Sequence, residues 1–271
     1  MIELEKQDLR SFARQSSKGN QLKWERDGIW YKADYAGYEG FSEYVVSKLL
    51  ACSSLCEEEY VSYDTEIIRF GEQTLNGCKS ENFLGEDEQL ITLERLYFQK
   101  TGRSLYRDVF ALTDLTDRLR FLVDKVTSIT GLSGFGTYIG KLLTIDAVFL
   151  NEDRHFHNIA LKMGRNGRFT LCPVFDHGAA LLSDTTLDYP LGEADAIYEQ
   201  IACVHAKTVS QDFREQLETG EQLFGSTMQF YFENHDLEKI VFEEPYYPEQ
   251  IKDRVYRILL EQKRKYQYLW K

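Results

Sequence analysis

The chain has 271 residues, of which 43% are hydrophobic and 14% are aromatic, and its net charge at pH 7 is −12. A chain of this size and composition can bury a substantial core as one large domain or two lobes, and its acidic balance argues against general nucleic-acid binding, which relies on Lys and Arg. The polar N-terminus and the lack of an apolar run of roughly 20 residues predict a cytoplasmic protein that does not enter membranes.

The first third of the chain is predicted to form mainly strands. Residues 21–25 and 29–34 are rich in aromatic and aliphatic side chains, and Asp27-Gly28 lies between them. An Asp-Gly pair between two such runs is typical of a hairpin. In the rest of this region, a helix is expected at residues 41–50, and strands are expected at residues 60–69 and 74–83.

Helices are predicted to dominate from residue 87 onward. Helices are expected at residues 88–101 and 115–130, ended by Gly102 and Gly131. Residues 138–150 are almost wholly apolar, as is typical of a buried central helix. A hairpin at residues 159–174 is expected to interrupt the helices. Helical structure is expected again after about residue 187, and it closes with a last helix at residues 248–271.

This order of elements predicts an α+β protein with a two-lobed, kinase-like architecture. A β-rich N-lobe is expected over residues 1–83 and a helical C-lobe over residues 84–271, joined near residues 80–87.

The most informative residues follow the predicted central helix. Asp153 and Asn158 have the Asp-x-x-x-x-Asn spacing of a phosphoryl-transfer catalytic loop, in which the Asp accepts the nucleophile's proton and the Asn binds magnesium. The predicted hairpin returns the chain to Asp176, two residues before Gly178. Mg²⁺ prefers oxygen ligands and usually binds one or two carboxylates. Asn158 and Asp176 are therefore candidate magnesium ligands.

Further candidates lie in the first lobe. Lys32 is at the end of a predicted strand and Glu43 is on the next helix, the arrangement in which a lysine holds the α- and β-phosphates and a glutamate fixes the lysine. A small polar loop, residues 16–23, precedes them and could cover phosphates with backbone N–H groups.

These motifs together resemble the HipA-like serine/threonine kinases, the toxins of bacterial toxin–antitoxin pairs. Asn151-x-Asp153-Arg154-His155-x-x-Asn158 is similar to their catalytic loop, and Ser16-x-x-Gly19-x-Gln21-x-Lys23 to their phosphate loop. The resemblance implies a catalytic Asp153 supported by Asn151 and His155, magnesium at Asn158 and Asp176, and autophosphorylation at Ser16 or Ser17. It also implies nucleotide contacts with Ser17, Lys18, Gly19, Gln21, Lys32 and Glu43, and with Glu81 and Phe83 in an adenine hinge at residues 79–83.

The resemblance has consequences for activity and partners. It implies an ATP- and magnesium-dependent kinase that phosphorylates a bacterial housekeeping protein, such as an aminoacyl-tRNA synthetase, and that has a cognate antitoxin. Only about ten residues precede the phosphate loop, as in the short, single-domain members of the family.

Two other enzyme classes are considered. Asp-Arg-His-x-x-Asn also occurs in phosphoinositide kinases, so a lipid or small-molecule kinase is an alternative, although the segment at residues 179–190 is short and acidic. A metal-dependent hydrolase is the other, since imidazole and carboxylate groups bind zinc and manganese. Its candidate ligands are Asp153, His155, His157, Asp176 and His177.

Overall fold

The computed structural model describes residues 1–10, 21–192 and 196–271. The chain divides into two compact units, each built from separate segments. The first unit comprises Met1–Asn82, Phe175–Val204 and Gln229–Lys271. The second unit comprises Phe83–Val174 and His205–Met228.

The structure contains both strands and helices. The strands, in chain order, are β1 (Ile2–Leu4), β2 (Lys23–Arg26), β3 (Ile29–Ala33), β4 (Asp64–Phe70), β5 (Gln73–Glu81), β6 (Glu88–Thr92), β7 (Ala160–Gly164) and β8 (Phe169–Leu171). The helices are α1 (Glu39–Leu50), α2 (Leu93–Thr101), α3 (Leu105–Phe110), α4 (Leu115–Thr130), α5 (Phe135–Phe149), α6 (Ala196–Cys203), α7 (Phe213–Phe224), α8 (Asn234–Phe242) and α9 (Glu249–Lys265).

The first unit contains a sheet with the strand order β1-β4-β5-β3-β2. β1 is parallel to β4, and the other pairs are antiparallel. The chain after β1 pairs with β2 at the opposite edge, where Arg10 N–H donates to the Lys23 carbonyl and Glu25 N–H to the Asp8 carbonyl, both at 2.9 Å. The sheet is therefore closed on itself, which removes exposed edges. Its interior is filled by Leu4, Trp24, Tyr31, Ala33 and Ile68.

The hairpin predicted at Asp27-Gly28 joins β2 and β3. Both residues have positive φ, 53° and 78°, as a type I′ turn requires. The helix predicted at 41–50 and the strand predicted at 74–83 are also present, as α1 and β5.

The second unit is built around α5. Most of its side chains are buried, and it packs against α4 and α7. At its centre, a Cβ built on Gly140 would lie 2.6 Å from Cγ2 of Thr227, so the helix needs glycine there. The prediction of a buried central helix is confirmed, and α4 has the predicted bounds and ends at Gly131, whose φ is 77°.

The helix predicted over residues 88–101 is wrong in its first part. Residues Glu88–Thr92 form β6, which pairs antiparallel with β7 in a sheet of order β6-β7-β8. Helix α2 begins only at Leu93, where the Thr92 hydroxyl caps it by accepting the Arg95 N–H at 3.3 Å. Pairing with a distant strand overrides the local helical pattern.

A half-buried carboxyl group links the segment after β3 to the C-terminal part of the first unit. Asp34 accepts the Gly40 N–H at 2.6 Å on one oxygen and the Tyr247 hydroxyl at 2.7 Å on the other. Burial, with a further contribution from Glu39 and a smaller one from Glu244, raises the pKa of Asp34 from 3.8 to about 7.

This raised pKa predicts a pH-dependent stability. The folded state binds the Asp34 proton more tightly than the unfolded state, so the free energy of unfolding should fall as pH rises from about 4 to about 7. At ~1.4 kcal/mol per pH unit the loss reaches at most about 4 kcal/mol. Asp34→Asn should flatten this dependence in urea unfolding at pH 5 and 7.5, with Glu72→Gln as an exposed control. An unchanged slope in Asp34→Asn would contradict the assignment.

In the part of the chain that the structure describes, no helix has the length and apolar character needed to cross a membrane.

Candidate active site

A largely buried lysine in the first unit is held by two carboxylates. Nζ of Lys32, on β3, lies 2.5 Å from Oε1 of Glu43 and 2.9 Å from Oδ1 of Asp176. The side chains of Lys32 and Glu43 are 12% and 1% exposed. Burial alone would lower the pKa of Lys32, but Asp176 and Glu43 outweigh it and hold that pKa well above its ordinary value. Lys32 is therefore a fixed cation at physiological pH.

A close approach of α1 to the sheet places Glu43. Gly40, one turn before Glu43, packs on the backbone of Gly77 in β5, and a Cβ built on Gly40 would lie 2.5 Å from the carbonyl carbon of Gly77. Only glycine fits at this distance. Because β5 pairs with β3, the contact brings Glu43 within reach of Lys32.

The same helix holds the segment that contains Asp176. Oε2 of Glu43 accepts the His177 N–H at 2.7 Å. The Ser42 hydroxyl lies within donor distance of the carbonyls of His177 and Ala180, at 2.8 and 3.0 Å. Glu43 therefore uses one oxygen for Lys32 and the other for the residue after Asp176, which ties the two sides of the cluster together.

The backbone of Asp176 is left-handed, with φ of 64°. Asp is one of the non-glycine residues that adopt this conformation most readily. Two buried leucines further on, Leu181 and Leu182, have φ of 56° and 58°. For leucine this conformation costs roughly 1–2 kcal/mol, so the contacts of this segment must hold it in place.

In the second unit, residues 151–158 form a closely bonded loop after α5. The Asp153 N–H donates to Oδ1 of Asn151 at 3.4 Å. Nδ2 of Asn158 donates to the Asp153 carbonyl at 2.9 Å and to Oδ2 of Asp153 at 3.1 Å. These bonds use the amide nitrogen of Asn158, so its amide oxygen is the atom suited to a cation.

A buried ion pair fixes this loop from inside. Nε of Arg154 lies 3.2 Å from both carboxylate oxygens of Asp146 on α5, and Nη1 of Arg154 donates to the Asn158 carbonyl at 3.2 Å. Burial raises the pKa of Asp146 to about 6, in spite of the opposing charge of Arg154. Sequence analysis gave this pair no role, although an acidic residue in an otherwise apolar helix was a signal for it.

Two nitrogen-bearing side chains lie beside the other oxygen of Asp153. Nε2 of His155 is 3.8 Å from Oδ1 of Asp153, and Nζ of Lys207 is 3.6 Å from it. His155 also braces the loop, since its N–H donates to the Asp153 carbonyl at 3.0 Å and its carbonyl accepts the Asn158 N–H at 2.7 Å. Lys207 was missed by sequence analysis because it is distant in sequence and no motif surrounds it.

The structure therefore brings together two groups of predicted residues. Lys32, Glu43 and Asp176 meet in the first unit, and Asn151, Asp153, His155 and Asn158 meet in the second.

The predicted phosphate loop lies mostly outside the described residues. The predicted site residues that lie outside them are Ser16, Ser17, Lys18 and Gly19. Gln21 is half-buried just before β2, and Glu81 is exposed at the end of β5, opposite Ile29. Phe83 is half-buried at the start of the second unit. The roles of all these residues in nucleotide binding stay predictions.

The hydrolase alternative would require protein ligands that are grouped around a metal. Zinc hydrolases use three protein ligands, and within residues 1–10, 21–192 and 196–271 no three His, Cys, Asp or Glu side chains are grouped to hold a metal. Asp176, in the first unit, carries a carboxylate, and Asn158, in the second unit, carries an amide oxygen. Mg²⁺ accepts such hard ligands and completes its coordination with phosphate oxygens and water.

Solved structures show what this fold is similar to. The proinflammatory kinase CtkA of Helicobacter pylori superposes with a TM-score of 0.64 over 97% of this chain and 95% of its own, at 16% sequence identity. The fold is that of a kinase. The predicted α+β, kinase-like fold is thereby confirmed.

A second similarity is to HipA of Shewanella oneidensis, in a complex of HipA, HipB and operator DNA. The TM-score is 0.49 at 13% identity, over 95% of this chain. The match spans 62% of the length of that HipA chain. No protein-family model matches the sequence, and no curated protein matches it.

Proposed function

We propose that this chain is an ATP- and magnesium-dependent kinase that phosphorylates serine or threonine hydroxyls of a protein. The observation that supports it best is the largely buried Lys32, which is bound at once by Glu43 and Asp176. In kinases a strand lysine holds the α- and β-phosphates, a helix glutamate fixes the lysine, and an aspartate binds magnesium. A merely structural lysine does not need two carboxylates, one of them almost fully buried.

Asp153 is the proposed general base. The acceptor hydroxyl oxygen forms a bond to the γ-phosphorus while the bond from that phosphorus to the β–γ bridging oxygen breaks. ADP leaves with the electron pair, and the hydroxyl proton passes to the Asp153 carboxylate. Asn158 orients this carboxylate by donating to Oδ2, and the Asp146–Arg154 pair keeps the loop in place.

Asp176 and Asn158 are the proposed magnesium ligands. When bound, Mg²⁺ would neutralise charge on the β- and γ-phosphates. The Asp176 carboxylate lies 2.9 Å from Nζ of Lys32, and this pairing would hold the carboxylate in position for the cation.

The motif resemblance supports the finer part of the proposal. It favours a bacterial housekeeping protein, such as an aminoacyl-tRNA synthetase, as the substrate. It also favours a cognate antitoxin protein as a partner and the cytoplasm as the site of action. It also favours autophosphorylation at Ser16 or Ser17, where phosphate would add about −1.5 to −2 charge next to the incoming triphosphate.

The test is transfer from labelled ATP. Purified protein is incubated with γ-labelled ATP, with and without Mg²⁺, in the presence of a bacterial lysate or of phosphoinositide vesicles. We expect magnesium-dependent label on lysate protein, recovered as phosphoserine or phosphothreonine, and phosphate on the peptide that contains residues 16–23. Label only in lipid would assign the chain to lipid kinases, and no transfer under any condition would refute kinase activity.

A further inference from the structure

The segment between α6 and α7 places a lysine beside the proposed general base. We propose that Lys207 is a catalytic residue that contacts the transferring phosphoryl group and stabilises its negative charge in the transition state. This inference rests on the kinase function proposed above. Its starting point is the distance of 3.6 Å between Nζ of Lys207 and Oδ1 of Asp153.

The backbone around Lys207 is tied to the catalytic loop. The Thr208 hydroxyl donates to the Arg154 carbonyl at 2.7 Å, in the residue directly after Asp153. Thr208 is buried, with 1% of its surface exposed. The backbone of Lys207 is therefore held at a fixed distance from the loop that contains the base.

The other side of this segment is anchored as well. Nη1 of Arg118, on α4, donates to the Val209 carbonyl at 2.9 Å. The Val209 N–H donates to the side chain of Gln216, which is fully buried on α7, and the Ala206 N–H donates to the Gln211 carbonyl at 2.9 Å. The segment is thus a braced turn, with the Lys207 side chain 41% exposed.

The two oxygens of Asp153 have different surroundings. Oδ2 accepts a hydrogen bond from Asn158 at 3.1 Å, whereas Lys207 is 3.6 Å from Oδ1, beyond ordinary hydrogen-bond distance. Lys207 therefore places positive charge next to Oδ1. An acceptor hydroxyl that donates to Oδ1 would bring its oxygen, and the phosphorus it attacks, close to the ammonium group.

Charge considerations favour this role over a simple ion pair. The Lys207 side chain is 41% exposed and its contact with Asp153 is long, so an ion pair alone would contribute little to stability. The arrangement is useful if the cation acts on charge that develops during transfer. Phosphoryl transfer depends mainly on such electrostatic stabilisation, with charge spread over the equatorial oxygens, and the flexible stem of lysine lets its ammonium group follow them.

Lys207→Met and Lys207→Arg test the proposal, with Lys100→Met on α2 as an exposed control in the same unit. For Lys207→Met we expect kcat to fall by about 10²-fold or more, the range for loss of one transition-state contact. The KM for ATP and the affinity for a non-hydrolysable ATP analogue should change by less than about twofold, because the contact forms only in the transition state. Lys207→Arg should restore a large part of kcat.

A transition-state analogue gives a second readout. The affinity for ADP with magnesium and aluminium fluoride should fall in Lys207→Met by about the same factor as kcat. Wild-type kcat in Lys207→Met, or equal losses of analogue and ATP binding together with lowered thermal stability, would overturn the role of Lys207. Inactivity of wild type and Lys100→Met alike would instead refute the kinase function and this inference with it.

Discussion

Asp153→Asn should abolish phosphoryl transfer while the protein stays folded and continues to bind ATP. The amide is the same size as the carboxylate and its oxygen can still accept from Asn158, which lies 3.1 Å from Oδ2 of Asp153. It cannot accept the acceptor's proton, and general-base catalysis typically contributes ~10²–10⁴-fold. The measurement is the initial rate of transfer from labelled ATP, with nucleotide affinity determined by calorimetry.

Asp124→Asn is the matched control, since it makes the same chemical change on an exposed face of α4 in the same unit. It should transfer phosphate at the wild-type rate. If folded Asp153→Asn turns over within a few-fold of wild type, Asp153 is not the base, and the proton must leave by another route.

Asp176→Ala should weaken nucleotide binding in the presence of Mg²⁺ far more than in its absence. The substitution removes a proposed magnesium ligand but leaves Lys32 paired with buried Glu43. We expect a loss of at least about 10–100-fold in Mg²⁺-dependent affinity, the range for weakened metal sites, and no transfer. Titration of ATP with and without Mg²⁺ measures both affinities.

Glu72→Ala, which removes an exposed carboxylate in the first unit, is the control for general loss of negative charge. It should bind nucleotide as wild type does under both conditions. Equal losses in Asp176→Ala with and without the metal would show that Asp176 serves only to pair with Lys32.

Features with a local cause could be predicted from the sequence. The hairpin at Asp27-Gly28 and the helix end at Gly131 follow from the positive φ that these positions need. The spacing of Asp153 and Asn158 places both residues in one short loop, and there they share a hydrogen bond.

Features that depend on distant contacts could not be predicted. Strand β6 exists because Glu88–Thr92 pair with Ala160–Gly164, and nothing within residues 88–92 specifies that partner. The contact of Gly40 with Gly77 and that of Lys207 with Asp153 likewise join residues that are far apart in sequence. The sequence therefore identified the polar groups that meet in the loop at residues 151–158, but not the packing that positions them.

The interleaving of the two units has a consequence for protein synthesis. The ribosome extends the chain from its N-terminus at about 5–20 residues per second, whereas the first unit includes contacts with late residues, such as Tyr247 with Asp34 and Trp270 with Phe230. A nascent chain whose residues Lys32 and Asp153 have already emerged from the ribosome still lacks these contacts. The first unit can therefore complete its packing only when translation has passed Trp270, and a premature stop codon would release a polypeptide that lacks these contacts.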